Sequence, residues 1–235
     1  MQKDFISNFS AEKWVTWSPY RRLSFLQKIE DSMAVRQGRR KRRVRASART
    51  AKRGVGGEYD SDEKGSLFIN KDWIYANDTY RTYELIDTVI HEGRHAYQDD
   101  VVRMRQITKA RPNKKTITVW RANTCNYGVY IGAGEKREDD AQKGELFYRY
   151  QPTEEDAYKY AEGAMREYRK HFGADRHYKE YMSDMARVNQ QTRMSARQLL
   201  GENYRKRISS EILKEYAFRK LPWRKRHPKS RGPVR

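Results

Sequence analysis

Apolar residues return every three or four positions over several long stretches, and they alternate in only one part of the chain. Ser18-Pro19 marks a helix start, a capping hydroxyl followed by proline at the first helical position. Leu23, Leu26 and Ile29 then keep helical spacing to about Met33. The longest apolar-periodic helix is expected over residues 80 to about 104. Pro152 opens another that runs to about Phe172, where Gly173 stops it. Helical spacing returns over residues 175–200 and 203–219. Alternation is confined to the first half. Val44, Ala46 and Ala48 alternate with polar residues, as an edge strand does, and residues 58–60 and 65–70 fit a short antiparallel pair joined at 61–64. Residues 54–57 read as a turn, Pro112-Asn113 as a break, and 132–144 as a charged loop. Residues 116–131 fit a helix and a strand alike. The expected class is α+β, mostly helical with a small antiparallel sheet, in a single domain over residues 1–218.

Composition limits how much of this can be buried. Of 235 residues, 37% are hydrophobic and 35% charged, so some segments must be solvated helix faces or tails. Seventeen Tyr, seven Phe and five Trp point to a core built from rings as much as from aliphatic chains. The single cysteine, Cys125, excludes a disulfide framework and a Cys-rich zinc cluster and fits a reducing compartment. It has no matching His/Asn context and reads as a packing residue rather than a nucleophile. The opening MQKDFISNFS has no apolar stretch or cleavage site, and nothing approaches the length of a membrane span. The expected location is the cytoplasm, or a target cell reached by a route without a cleaved signal peptide.

The net charge of +20 is unevenly placed. Residues 36–54 carry ten Lys or Arg and no acid, residues 219–235 carry eight and no acid, and the remainder is nearly neutral. The first segment reads as a basic insert and the second as a basic, disordered C-terminal tail. Both suit phosphate-level contact with nucleic acid or another polyanion, through Arg39, Arg40, Lys41, Arg42 and Arg43 and through Arg224, Lys225 and Arg226. No base-reading motif accompanies them, so such contact would ignore sequence. The competing reading is a solubilising or partner-packing arm.

The chemistry concentrates at residues 91–95, His-Glu-Gly-Arg-His, an HExxH motif inside the long apolar-periodic helix. Positions i and i+4 share one helix face, so His91 and His95 can reach one tetrahedral Zn²⁺. Glu92 beside them can accept a proton from water as general base. The alternative is a pair of helix histidines making ordinary hydrogen bonds. A catalytic zinc needs a third ligand, and the HExxHxxGxxH position holds Val101. That argues against the metzincin layout; the alternative is a carboxylate from a second helix, and residues 152–161 read PTEEDAYKYA.

These two motifs together resemble gluzincin-type zinc metallopeptidases, in particular the compact phage- and toxin-associated kind. The likeness covers about residues 18–165 and is specific only in the two motifs. It implies a zincin-like core in which a ligand Glu opens a second helix and a small residue follows three positions later: Glu154 and Ala157. Glu155, about 100° further round the helix, is the rival ligand, and Glu154 alternatively complements the helix dipole. Many gluzincins place Asp four residues after the ligand Glu to orient a ligand imidazole. Tyr158 stands there, so that role falls to Tyr158 or to Asp87, one turn before His91.

The resemblance implies a zinc peptidase acting on a peptide or protein, as a toxin or effector with a cognate inhibitor protein. The alternative is a polyanion-binding phage- or toxin-associated protein with a structural or degenerate metal site. Tyr127, Tyr130, Tyr150, His171 and His177 are candidate oxyanion donors, each read more readily as a packing or surface residue. Arg94 is expected in a structural salt bridge or in solvent.

Overall fold

The computed structural model describes residues 6, 9–61, 65–124, 129–132 and 141–220. Cys125, Tyr127, Arg224, Lys225 and Arg226 lie outside the described residues, as do most of the charged loop and the expected tail from residue 221. In chain order the elements are α1 (Ala11–Val15), α2 (Pro19–Gln37), β1 (Val44–Ser47), α3 (Ala48–Lys52), β2 (Gly57–Asp60), β3 (Ser66–Asn70), α4 (Lys71–Tyr75) and α5 (Thr79–Val102). There follow α6 (Lys114–Ala122), α7 (Ala141–Tyr150), α8 (Pro152–Glu167), α9 (Arg169–Phe172), α10 (Arg176–Leu200) and α11 (Tyr204–Lys220). The fold is mostly helical with one three-stranded sheet among the described residues. Residues 116–122 are helical, and Arg219 and Lys220, expected as the start of the tail, close α11. No helix among the described residues is long and apolar enough to cross a membrane.

Where the sequence suggests one domain over 1–218, two compact units share the chain: Met1–Pro112 with Glu155–Met194, and Asn113–Glu154 with Ser195–Arg235. In the first, α2 begins as its sequence dictates. Ser18 caps it by accepting the Arg21 amide, Pro19 opens it, and Gly38 ends it in the left-handed region at φ 69°. The sheet has the order β1-β3-β2. β2 pairs antiparallel with β3, but β1 runs parallel to it, Val44 opposite Leu67, so the sheet is mixed rather than antiparallel. Helix α3 turns the chain after β1, and β2, running the opposite way on the far edge, carries it back so that β3 can pair parallel with β1.

Helix α5 is the centre of this unit. Leu85, Ile86, Val89 and Ile90 are fully buried, and α1, α2, β2 and β3 all pack on the helix. Around its N-terminal half sits the ring-built core: Phe9 stacks on Phe25 at 4.4 Å, and Tyr83 meets Phe172 and Tyr178 at 5.4 Å each. Such pairs contribute about 0.5–1.5 kcal/mol each beyond their area burial. The buried Arg22 serves as a cap for other elements. It donates to the carbonyls of Trp14, Val15, Ile74 and Ala76 and to Asn77 Oδ1, satisfying the ends of α1 and α4.

The second unit packs α11 against α6 and α7 around Leu146, Phe147, Tyr150, Tyr204, Ile208 and Ile212. A buried amide network holds its irregular segment. Gln151 accepts from the Ile131 amide at 3.0 Å and donates to the Ile131 carbonyl at 2.8 Å. Asn123 donates to Gln151 and to the Val129 carbonyl, and accepts from Thr153. Every buried polar side chain in this chain of contacts has a partner, which lets it define one conformation for residues 129–132.

Candidate metal centre

His91 and His95 sit on one face of α5, a turn apart, with their Nε2 atoms 3.0 Å apart. Glu154 stands in the first turn of α8, one residue before the part of that helix that belongs to the first unit, and is 1% exposed. One ligand atom from each of His91, His95 and Glu154 lies within 4.8 Å of the others, a group that could hold a metal ion. Around a tetrahedral ion with bonds of about 2.0–2.2 Å, neighbouring donors stand roughly 3.3 Å apart. The donors therefore come within about 1.5 Å of the spacing that one ion requires.

Of the two acids at the start of α8, the structure brings Glu154 to the histidines. Glu155 pairs with Lys159 at 2.9 Å along the helix. Tyr130, read from sequence as an oxyanion donor, gives its hydroxyl to Glu154 Oε1 at 2.7 Å, from the segment that Gln151 and Asn123 hold. Tyr158 lies against His91, ring centroids 4.4 Å apart, and so restrains that imidazole by packing. Asp87 accepts the Tyr181 hydroxyl at 2.9 Å, tying α5 to α10. Arg94 pairs with Asp156, as a structural salt bridge requires.

Glu92 is oriented by the sheet. The Tyr59 amide on β2 donates to Glu92 Oε2 at 2.8 Å, and the Tyr59 hydroxyl donates to Asp99 at 3.0 Å, two turns further along α5. Burial, with Asp99 beside it, raises the Tyr59 phenol well above its usual range, so it remains a donor. β2 can lie this close because residue 57 is glycine: a Cβ there would be 2.6 Å from Thr88 Cγ2 and 3.2 Å from Glu92 Cγ.

The remaining sequence candidates lie elsewhere. Tyr150 is buried in the second unit, where burial and the adjacent Tyr204 push its phenol up to about 12. His177 faces Glu12 and Glu180, and His171 is on α9.

The basic insert requires a correction. Arg39 and Arg42 are not available to a polyanion: Arg39 pairs with Glu30 and Arg42 with Asp100, with at most 2% of any of these side chains exposed. Arg40 and Arg43 are exposed, and Lys41 reaches Asp31 at 3.2 Å. Arg36, Arg49 and Arg53 also meet acids, so much of the segment's charge is neutralised within the fold.

Two contacts at the site escape sequence reading, the Tyr59 amide on Glu92 and the Asp156–Gln98 contact behind His95. Only the i,i+4 pair of Arg94 and Gln98 facing one acid could have signalled the second. No protein-family model, curated protein or solved structure matches this chain.

Proposed function

We propose that this chain is a zinc-dependent hydrolase of the gluzincin kind that cleaves peptide bonds, with His91, His95 and Glu154 as ligands and Glu92 as general base. The observation that carries this reading is the convergence of the two HExxH histidines and Glu154 into one group. Two imidazoles and one carboxylate are three protein ligands, the donor set of a hydrolytic rather than a structural zinc. Zinc held by these residues would supply Lewis acidity toward water and a carbonyl. Glu92 takes a proton from the attacking water and delivers it to the leaving amine. The Tyr59 amide holds one carboxylate oxygen, which keeps the base in a single orientation for that transfer. Tyr130 and Tyr158 restrain two of the ligands, Glu154 and His91, in the same way. The likeness of the two motifs to phage- and toxin-associated peptidases extends the proposal to an effector acting on an intracellular protein.

The test is zinc content by mass spectrometry, beside cleavage of a protein substrate panel. About one zinc per chain, lost in His91→Ala, is expected. Glu92→Gln retains an oxygen to accept the Tyr59 amide, so it should keep the zinc and lose roughly 10²–10⁴-fold in activity. A chain that takes up no zinc, or a fully active Glu92→Gln, overturns the reading.

A further inference from the structure

Behind His95 runs a line of contacts whose donors and acceptors can be assigned one after another. Asp156 on α8 accepts from Arg94 through Nε at 2.7 Å and Nη2 at 3.1 Å. It also accepts from Gln98 Nε2 at 2.8 Å. A carboxylate held by a guanidinium only accepts, so the Gln98 group facing it must be the NH₂. That orientation turns Gln98 Oε1 toward His95 Nδ1, 2.9 Å away. An amide oxygen also only accepts, so His95 Nδ1 carries the hydrogen. The lone pair is left on Nε2, the atom that faces His91 Nε2 at 3.0 Å.

We infer that Arg94, Asp156 and Gln98 form a positioning relay that fixes His95 in its Nδ1–H tautomer and so presents Nε2 as the ligand atom. Arg94 and Gln98 are one turn apart on α5, and Asp156 is two residues past Glu154 on α8. The relay therefore ties the second histidine of the motif to the helix that carries the carboxylate ligand. Neither Gln98 nor Asp156 is part of HExxH, and Arg94 occupies one of its variable positions. A free neutral imidazole prefers the Nε2–H form, in which Nε2 has no lone pair to offer. Reversing that preference before a metal arrives removes a tautomer exchange from binding.

The tautomer belongs to the chain with zinc removed by chelation and stands apart from the hydrolase reading; only its consequence for zinc affinity rests on that reading. The experiment is ¹⁵N-detected imidazole spectroscopy of the full-length, chelated protein with His95 in its neutral form, followed by zinc titration. In the wild type, Nδ1 should show the protonated signature and Nε2 the unprotonated one. Gln98→Met, of similar length but without the acceptor, should move His95 toward Nε2–H. With zinc alone as probe, Gln98→Met and Asp156→Leu should bind roughly 10–100-fold more weakly than wild type. A wild-type His95 protonated at Nε2 overturns the relay whatever the variants do, and so does an unchanged tautomer in Gln98→Met. A chain with the expected tautomer that binds no zinc overturns the metal reading and leaves the relay standing.

Discussion

Gly93 and Arg39 approach so closely that a β-carbon on Gly93 would stand 2.7 Å from Arg39 Nη2, and 2.9 Å from Glu30 Oε2. The glycine lies within the HExxH segment, at the point where α5 presses on a buried ion pair. Helix propensity alone favours Gly93→Ala by about 1 kcal/mol. Overpacking against a pair that cannot move into solvent costs about 1–3 kcal/mol, and more where charges are displaced. We expect the second effect to win and Gly93→Ala to lower stability in urea denaturation. An alanine variant more stable than wild type would mean that the ion pair yields freely.

The ion pair itself should be a major stability determinant. Arg39 gives Nη1 and Nη2 to the two Glu30 oxygens at 2.6 and 2.7 Å, and Glu30 also accepts the Arg42 amide at 2.8 Å. Arg39→Ala leaves the Glu30 charge buried and without its guanidinium, at a cost of about 3–5 kcal/mol. Arg40→Ala, one residue on and exposed, should change stability by no more than about 0.5 kcal/mol. Equal denaturation midpoints for the two variants would count against the burial of the pair.

Arg39 and Arg42 mark the limit of what local sequence carries. That His91 and His95 share one face of α5 was legible because four-residue spacing in an apolar-periodic helix is local information. The Ser18-Pro19 start of α2 was legible for the same reason. Arg39 and Arg42 read as a cationic arm because their acids, Glu30 and Asp100, sit on α2 and α5, and counting charge along a segment cannot see partners brought in by folding. The parallel β1–β3 pairing is not legible either, since nothing in the alternation of Val44, Ala46 and Ala48 specifies the direction of a neighbouring strand. Glu154 was reachable through the resemblance of its segment. The Tyr59 amide that orients Glu92 was not, because any residue can offer a backbone N–H.

Asp175 should make stability depend on acid pH. Burial alone would raise its pKa, but the Ala11 amide at 2.7 Å, the Tyr83 hydroxyl at 2.7 Å and the His177 amide at 2.8 Å outweigh it and hold the carboxyl below its usual range. A folded pKa below the unfolded one contributes stability that is present above the unfolded pKa. That contribution is lost as pH falls through the folded one. Asp175→Asn should therefore be less stable than wild type near neutrality, with the gap closing below about pH 4. Thermal unfolding across pH checks this, and a gap that widened in acid would reverse the assigned shift.

The choice between Glu154 and Glu155 gives the sharpest discrimination at the candidate site. Both acids occupy the first turn of α8, so the helix dipole acts on them alike and cannot separate them. Their surroundings do. Glu154 is buried beside the two imidazoles with Tyr130 donating to Oε1, whereas Glu155 is paired along the helix with Lys159. Glu155→Gln removes an ion pair of a kind worth a few tenths of a kcal/mol and should leave zinc affinity unchanged. Glu154→Gln keeps the side chain's size but replaces an anionic ligand oxygen with a neutral one. It should weaken zinc more than the roughly 10–100-fold expected from losing a residue behind a ligand. Tyr130→Phe falls between, since it frees a ligand oxygen without removing it. Competitive zinc titration of the three variants gives the order Glu154→Gln, Tyr130→Phe, Glu155→Gln from weakest to tightest. An interchange of the two glutamates in that order would move the third ligand one residue along α8 and detach Tyr130 from the centre.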